Sequence, residues 1–246
     1  MRYSGFVVAG LLCAGIAAAQ AEPTTIVIRV MAKDAKFVGT ETGGAQITLR
    51  DADTGEVLAQ GLTAGATGNT PKIMSDPRAR RDALSDDTSA KFSATLDITR
   101  PRRITATATG PMELKDAANS VSSTQWVLPG KSINGGDGWV LELPGFAITL
   151  IDPLPANVSG SVPLKVKVTM QCGCPITPGG IWDANKFQIA AQLENGAAVP
   201  LTYAGEASTF QGSIPIPRAG SYVLDVYAYD PSDGNTGLVK FPLTAR

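Results

Sequence analysis

The sequence predicts an all-β protein made of β-sandwiches. Glycine and proline are abundant, with 26 and 17 copies in 246 residues, which favours turns over helices. Short runs of β-branched residues are interrupted by turn residues at the spacing of about 8–12 residues that is typical of sandwiches. In Lys91–Ile98, apolar side chains alternate with polar ones, so one face of that strand would meet a core.

Residues 1–21 have the pattern of a cleavable signal peptide. Arg2 provides a positive start, Phe6–Ala19 is apolar or small throughout, and Ala19 and Ala21 place small residues before a cleavage site at Glu22. About 14 apolar residues are too few to cross a bilayer, and the mature chain contains no longer apolar stretch. We therefore expect export to the periplasm and no integral membrane segment in the mature chain.

Charge and composition exclude several classes of partner and mechanism. The formal net charge is −1, and a nucleic-acid binder would need a surplus of cations. The chain has no histidine, which removes Ser-His and Cys-His dyads, and it has no nucleophile-elbow, phosphate-loop or dinucleotide-binding motif. We predict a non-enzymatic protein that binds no nucleic acid.

An N-terminal β-sandwich is expected over residues 22–145. Its predicted strands are Thr25–Met31, Ala45–Arg50, Val57–Gln60, Lys91–Ile98 and Arg103–Thr109. Residues 63–87 lack periodicity and form a long excursion, which is a candidate site because long loops are often functional. Residues 111–145, which include Trp126 and Trp139, are expected to pair as a hairpin.

A second β-sandwich is expected over residues 146–246. The predicted strands are Phe146–Ile151, Leu164–Met170, Phe187–Leu193, Val199–Tyr203, Thr209–Ile214, Ser221–Tyr229 and Gly237–Leu243. Seven strands in about 100 residues is the number in an immunoglobulin-like sandwich. The predicted fold is thus two tandem immunoglobulin-like or transthyretin-like β-sandwiches after a signal peptide.

The segment Gly220–Asp230, followed by Gly234-Asn235-Thr236-Gly237, resembles the last hairpin of bacterial Ig-like extracytoplasmic domains. The resemblance lies in a Gly-x-Tyr strand and an Ala-x-Asp…Gly-Asn turn. It implies that Tyr222 is a corner tyrosine, hydrogen-bonded to the preceding backbone. It also implies an extracytoplasmic fold, in a family that includes adhesins, binding modules and enzyme appendages.

The N-terminal half resembles the carboxypeptidase-regulatory, or transthyretin-like, sandwich domains more loosely. The similar stretch is Gln46–Leu58, in which a strand, an Asp-x-x-Thr-Gly turn and a second strand follow one another. The resemblance implies an accessory module rather than a catalytic domain.

The motif Met170-Gln171-Cys172-Gly173-Cys174-Pro175 is the candidate chemical site. If the preceding strand continues to residue 174, then Met170, Cys172 and Cys174 share one face. A thioether and two thiolates form a soft ligand set that suits Cu(I). Gly173 and Pro175 are expected to interrupt the strand and expose both sulfur atoms.

Two alternatives stand beside the Cu(I) site. A Cys172–Cys174 disulfide would have to shorten the Cα–Cα distance of about 6.6 Å in a flat strand, which a turn at Gly173 could do. Closing so small a loop contributes only about 1.6 kcal/mol in the chain-entropy model. A strained pair of this kind also suggests dithiol–disulfide exchange, as in a redox protein.

Two residues downstream complete the candidate site. Trp182 could shield the sulfur atoms or hold a ligand, although plugging the open end of a sandwich is the preferred interpretation. Asp183 could orient a ligand, with a turn or helix cap preferred. Asp230, Asp233 and Asn235 resemble an oxygen-rich cation loop, but their spacing favours a β-turn with Asx hydrogen bonds.

Two arginine clusters could bind an anion or pair with carboxylates. For Arg78, Arg80 and Arg81, neutralisation by the aspartates that flank them is the preferred interpretation. The second cluster is Arg100, Arg102 and Arg103.

The overall expectation is a binding or accessory protein whose Cys172, Cys174 and Met170 bind Cu(I). Its partner would be another periplasmic protein or a metalloenzyme. The alternatives are a structural, partner-binding module of an envelope complex with an inert Cys172–Cys174 disulfide, and a dithiol redox protein.

Overall fold

The computed structural model describes residues 20–194 and 196–246, and this part of the chain is built almost entirely from strands. All four sheets contain antiparallel pairs, and their apolar faces enclose the core. The predicted all-β sandwich class is confirmed. The predicted leader, residues 1–21, lies outside the described residues except for Gln20 and Ala21.

The N-terminal half contains two sheets. Its strands are β1 (Glu22–Ala32), β2 (Gln46–Asp51), β3 (Val57–Leu62), β4 (Phe92–Ile98), β5 (Arg102–Gly110), β6 (Asn119–Val127) and β7 (Trp139–Leu143). One sheet has the order β4-β1-β7, and the other has the order β3-β2-β5-β6. In β1, Ile26, Ile28 and Val30 are fully buried, so the period-two pattern of the sequence marks the core face.

The prediction of a hairpin within residues 111–145 is wrong. β6 pairs with β5 in the four-stranded sheet, whereas β7 pairs in parallel with β1 in the other sheet. The two strands therefore close opposite layers of the sandwich. Apolar alternation in each strand identifies a buried face, but it does not identify the neighbouring strand.

The excursion over residues 63–87 leaves the sheets and is anchored on both sides. It contains helix α1 (Thr70–Met74), whose Ile73 packs with Phe37 and Ala90 in a small core of its own. Farther along, the Asp137 carboxylate accepts hydrogen bonds from the backbone N–H groups of Leu84 (2.9 Å) and Ser85 (2.8 Å). The segment is thus an irregular extension of the N-terminal half.

The C-terminal half contains two further sheets. Its strands are β8 (Phe146–Leu150), β9 (Ser161–Met170), β10 (Gln188–Leu193), β11 (Val199–Pro200), β12 (Thr202–Tyr203), β13 (Thr209–Pro215), β14 (Gly220–Tyr229) and β15 (Thr236–Ala245). The sheet orders are β12-β13-β9-β8 and β11-β10-β14-β15. Each sheet has four strands, and the last hairpin, β14-β15, lies at one edge of the second sheet.

The predicted strand Val199–Tyr203 is divided between both sheets. β11 pairs with β10, and β12 pairs with β13. Leu201, between them, is buried. The chain crosses from one layer to the other here, next to Pro200, which has no N–H to donate to a ladder.

The expected corner tyrosine is confirmed. The Tyr222 hydroxyl donates a hydrogen bond of 2.8 Å to the carbonyl of Arg218, four residues upstream. This bond fixes the chain at the start of β14.

The two halves share one continuous hydrophobic cluster. It includes Ile26 and Leu49 from the N-terminal half and Val166 and Leu224 from the C-terminal half. The chain passes from β7 to β8 through Pro144 and Gly145, where the sequence predicts a domain boundary; the number of domains stays a prediction. Across the described residues, no helix has the length and apolar character required to span a bilayer.

Candidate functional site

The Cys-Gly-Cys motif forms a tight turn directly after β9. The Gly173 N–H donates to the Met170 carbonyl at 2.8 Å, and the Met170 N–H donates to the Cys174 carbonyl at 3.1 Å. Gly173 has φ +82°, a left-handed conformation that glycine adopts without steric cost. β9 therefore ends at Met170, so the condition under which Met170, Cys172 and Cys174 would share one face of a strand is not met.

The turn brings the two cysteines together as a disulfide. Cys172 and Cys174 are bonded, with a Cα–Cα distance of 5.4 Å. That distance is within the usual range for disulfides, and it is shorter than the value of about 6.6 Å for a flat strand. The shortening by a turn at Gly173 is thus confirmed.

The sulfur-bearing residues lie inside the protein. Cys172 is 0% exposed, Cys174 is 5% exposed and Met170 is 1% exposed, and all three belong to the main hydrophobic cluster. The expectation that Gly173 and Pro175 would expose both sulfur atoms is therefore wrong. The physical reason is that the turn folds back against the N-terminal half instead of ending at an open rim.

The contact with the N-terminal half is made by the motif itself. A Cβ at residue 173 would lie 2.9 Å from Cγ2 of Thr42, so the turn approaches Thr42 as closely as a glycine allows. The buried Gln171 side chain donates through Nε2 to the Ala117 carbonyl at 3.0 Å. Its Oε1 has no hydrogen-bond partner among the described residues. We name this contact region, formed by residues 170–183 with their N-terminal partners, the junction.

Trp182 also belongs to the junction. Its side chain is 6% exposed, and its indole N–H donates to the Asp34 carbonyl at 2.8 Å. A buried tryptophan normally finds a partner for this N–H, and here the partner lies 148 residues away in the sequence. Trp182 therefore plugs the contact between the two halves; a role in shielding a ligand stays a prediction.

Asp183 holds the adjoining turn. Its Oδ1 accepts hydrogen bonds from the Gly179 N–H (2.9 Å) and from the backbone N–H and side-chain amide of Asn185 (both 3.0 Å). The backbone hydrogen bond from Gly179, followed by that from Asn185, holds the pKa of Asp183 below its ordinary value. The preferred turn role is confirmed.

Another contact between the two halves, made by residues outside the junction, was not predicted from the sequence. Asn235, which is 2% exposed, accepts a hydrogen bond of 2.6 Å from the Gly145 N–H and donates one of 3.3 Å to the Gly145 carbonyl. The expected Asx turn is also confirmed. Asp230 Oδ1 accepts from the Ser232 N–H at 2.8 Å, and Asp233 Oδ1 accepts from the Asn235 N–H at 2.7 Å.

Acidic side chains collect at the edge of the junction. Partial burial of the carboxyl group, followed by the negative charges of Asp233 and Asp230, raises the pKa of Asp34, although the residue as a whole is exposed. Lys33 opposes this shift. Its Nζ lies 3.5 Å from the Asp233 carboxylate and donates to the Asp233 carbonyl at 3.0 Å.

A polar cleft of about 250 Å³ lies beside the turn. Its charged lining residues are Glu41, Glu113 and Lys167, and Gly173 forms part of its wall. Solvent in this cleft reaches the half-buried Gly173, while the adjacent cysteines remain buried.

The two arginine clusters differ in their ion pairs with carboxylates. Arg102 lies 3.6 Å from the Asp51 carboxylate and 3.4 Å from that of Glu56, and Arg103 pairs with Asp53. In contrast, no ion pair within 4.0 Å is found for Arg78, Arg80 or Arg81 within the described residues, so their neutralisation by the flanking aspartates stays a prediction. These three arginines are exposed on the excursion.

Within residues 20–194 and 196–246, no three side chains among cysteine, aspartate and glutamate lie close enough together to hold a metal ion. Two cysteines and one methionine form a different ligand set, so Cu(I) binding stays a prediction. No family model matches the chain, and no curated protein matches it.

Proposed function

We propose that this protein is an exported, non-enzymatic structural or partner-binding module in which the Cys172–Cys174 disulfide is a structural element. The observation that carries the proposal is the position of the bond. Both cysteines are buried, and the turn between them packs against Thr42 in the N-terminal half. A bond in this position shapes the contact between the two halves.

Chain entropy alone does not account for the bond. A loop this small contributes about 1.6 kcal/mol through the unfolded state, against about 3 kcal/mol for a loop of 15 residues. We assign the larger effect to the folded state. The disulfide holds Gly173 in the conformation that fits against Thr42, next to the hydrogen bond from Gln171 to Ala117.

Export is part of the same proposal. A disulfide persists in an oxidising compartment and is rare in the cytosol. The leader pattern of residues 1–21 would deliver the chain to such a compartment, and the periplasm is the one we propose. A protein of the envelope is the kind of partner that this location offers.

Thiol trapping tests the proposal. Protein is isolated from its native envelope with an alkylating reagent present from lysis onward, and peptides containing Cys172 and Cys174 are examined by mass spectrometry. We expect neither cysteine to be alkylated, and we expect a mild reductant to open the bond only after urea unfolds the protein, because buried sulfur atoms are inaccessible to an attacking thiolate. Alkylated Cys172 and Cys174 in the untreated sample would contradict the proposal.

A second proposal is that the reduced protein binds Cu(I) through Cys172 and Cys174 with Met170 as an auxiliary ligand. The observation in its favour is that the three residues flank one tight turn, closed by hydrogen bonds between Met170 and both Gly173 and Cys174. Anaerobic titration of reduced protein should then show one Cu(I) bound with a Kd below about 1 μM. Binding that persists in the Cys172→Ser/Cys174→Ser variant would rule these ligands out.

The same samples separate the third candidate. Structural disulfides typically have reduction potentials below about −300 mV. A dithiol redox protein requires a Cys172–Cys174 potential above that value. Equilibration with a glutathione redox series measures that potential. A value in the structural range supports the first proposal.

A further inference from the structure

β6 is a nine-residue edge strand in the four-stranded sheet of the N-terminal half. It pairs with β5 along its whole length, from Asn119 opposite Gly110 to Val127 opposite Arg102. No strand among the described residues pairs with its other side. Every second residue of an antiparallel edge strand directs its N–H and C=O groups outward, so β6 presents a row of backbone donors and acceptors.

The other edge strands are short, partly covered or interrupted by charged residues and proline. β11 and β12 have two residues each, and β7 and β8 have five. β15 has ten residues and is covered only at its C-terminal end, where Val158 donates to the Thr244 carbonyl at 3.2 Å and accepts from the Arg246 N–H at 2.9 Å, but the strand contains Gly237, Lys240 and Pro242. The edges of β3 and β4 are joined to each other beyond their ends by the pairing of Ala64 with Lys91. Within the described residues, β6 is the longest edge strand that contains no charged residue, proline or glycine.

The sequence of β6 has none of the features that prevent edge pairing. Asn119-Ser-Val-Ser-Ser-Thr-Gln-Trp-Val127 contains no charged residue, no proline and no glycine. Natural edge strands usually carry a lysine, a proline or a bulge against association. Trp126 is instead 61% exposed, a large apolar surface on the strand that would be covered by a neighbour.

We propose that β6 pairs antiparallel with β6 of a second copy of this chain, about a two-fold axis at Ser123. This register uses all nine residues, because Ser123 is the midpoint of the strand. It places Ser122 opposite Thr124 of the partner subunit and Ser120 opposite Trp126 of the partner subunit. The two four-stranded sheets become one continuous sheet with an isologous interface.

Existing contacts within the sheet show that these side chains are suited to such pairing. Thr124 and Thr105 share a hydrogen bond of 2.7 Å, and Ser120 and Thr109 share one of 2.9 Å, across β5 and β6. Hydroxyl side chains directly opposite each other stabilise antiparallel strands. No like charges face one another in the proposed register, since the strand carries none.

Light scattering coupled to size-exclusion chromatography tests the proposal on the purified protein. We expect a dimer at protein concentrations up to about 100 μM, which reveals association with a micromolar Kd. The variant Ser122→Lys/Thr124→Lys places lysines directly opposite each other across the axis and should raise the dimer Kd at least tenfold. A wild-type protein that is monomeric throughout this range overturns the proposal.

Charge exchange tests the register. The variant Ser122→Glu/Thr124→Glu should weaken the dimer to the same extent, and mixing it with the lysine variant at low salt should give a tighter heterodimer, because each lysine then faces a glutamate. The matched control is Gln60→Lys/Leu62→Lys, which adds the same charge to exposed positions of β3, on the opposite side of the sheet. A dimer that this control also dissociates, or one that the β6 variants leave intact, is not held by β6. The outcome is independent of the state of Cys172 and Cys174, so it does not depend on the proposed function.

Discussion

Asn235 links the last hairpin to the point where the chain passes between the two halves. Its amide group serves both polar backbone groups of Gly145 in a buried position. An unpaired buried group costs about 1–3 kcal/mol. We therefore expect Asn235→Ala to lower the free energy of unfolding by about 1–3 kcal/mol, measured as a shift of the urea midpoint at an unchanged m-value.

The matched control for this prediction is Asn134→Ala. Asn134 is exposed, and its side chain makes no hydrogen bond within the described part of the chain. Its loss should change the free energy of unfolding by less than about 0.5 kcal/mol. Equal effects of the two substitutions would show that the clamp on Gly145 contributes nothing.

Residues that act locally were predictable from the sequence. Tyr222 bonds to Arg218 and Asp183 bonds to Gly179, in each case four residues away. The resemblance to Ig-like domains implied the bond of Tyr222 to the preceding backbone, and turn chemistry indicated the turn role of Asp183. Asn235 and Trp182 act across 90 and 148 residues. Nothing in the sequence around such a residue specifies which distant backbone group it meets.

At the scale of elements, the Cys-Gly-Cys turn makes a distinct prediction. Gly173 and Gly179 both have positive φ, +82° and +71°, so alanine at either position incurs a backbone cost of about 1–2 kcal/mol. At Gly173 the added Cβ would also clash with Thr42. At Gly179 nothing lies within 4 Å of the position that a Cβ would occupy. Gly173→Ala should therefore lower the free energy of unfolding by more than Gly179→Ala.

Urea denaturation of the two variants measures the difference, in which the shared backbone cost cancels. Protein with its disulfide intact is required in both samples, and mass spectrometry verifies this. If Gly179→Ala is as damaging as Gly173→Ala, the turn does not bear on Thr42 in solution.

The strands themselves were largely predictable, and their neighbours were not. Alternating apolar residues located β1, β4 and β9 because one face of each strand is buried. The hairpin expected over residues 111–145 would have joined β6 and β7, although these strands lie in different sheets. Burial of the Cys-Gly-Cys turn was missed for a related reason: the turn is covered by residues of the other half, which local alternation does not reveal.

At the scale of the whole molecule, the carboxylates divide into two groups. Hydrogen bonds hold the pKa values of Asp51, Asp86 and Asp183 below their ordinary range. For Asp137, burial raises the pKa, but hydrogen bonds from Leu84 and Ser85 and the charge of Arg29 outweigh it, so its pKa is also lowered. Such groups stabilise the protein at pH values above the pKa of about 3.9 that the carboxyl has in the unfolded chain. This stabilisation is lost as the pH falls through their pKa values in the folded protein.

Asp34 has the opposite sign. Because its pKa is raised in the folded protein, the folded state binds this proton more tightly than the unfolded state does. The contribution of Asp34 to stability is therefore greatest below the unfolded pKa and is lost as the pH rises through the folded value. At neutral pH the ionised Asp34 carboxylate is repelled by the negative charges of Asp230 and Asp233.

Asp34→Asn tests whether these charges act between the two halves. Asparagine tolerates the φ of +50° at this position, and the hydrogen bond from Trp182 goes to the backbone carbonyl, which the substitution keeps. We expect the variant to exceed the wild type in free energy of unfolding at pH 7. The difference should shrink as the pH falls through the folded pKa and vanish below about pH 3.9, where the wild-type residue is protonated in both states.

Urea unfolding across this pH range measures the difference between Asp34→Asn and the wild type. The control is Asp152→Asn, because Asp152 is exposed and has no hydrogen bond or ion pair among the described residues. A difference that does not depend on pH would mean that the substitution acts through the backbone turn, and the acidic edge would then have no influence on how the two halves hold together.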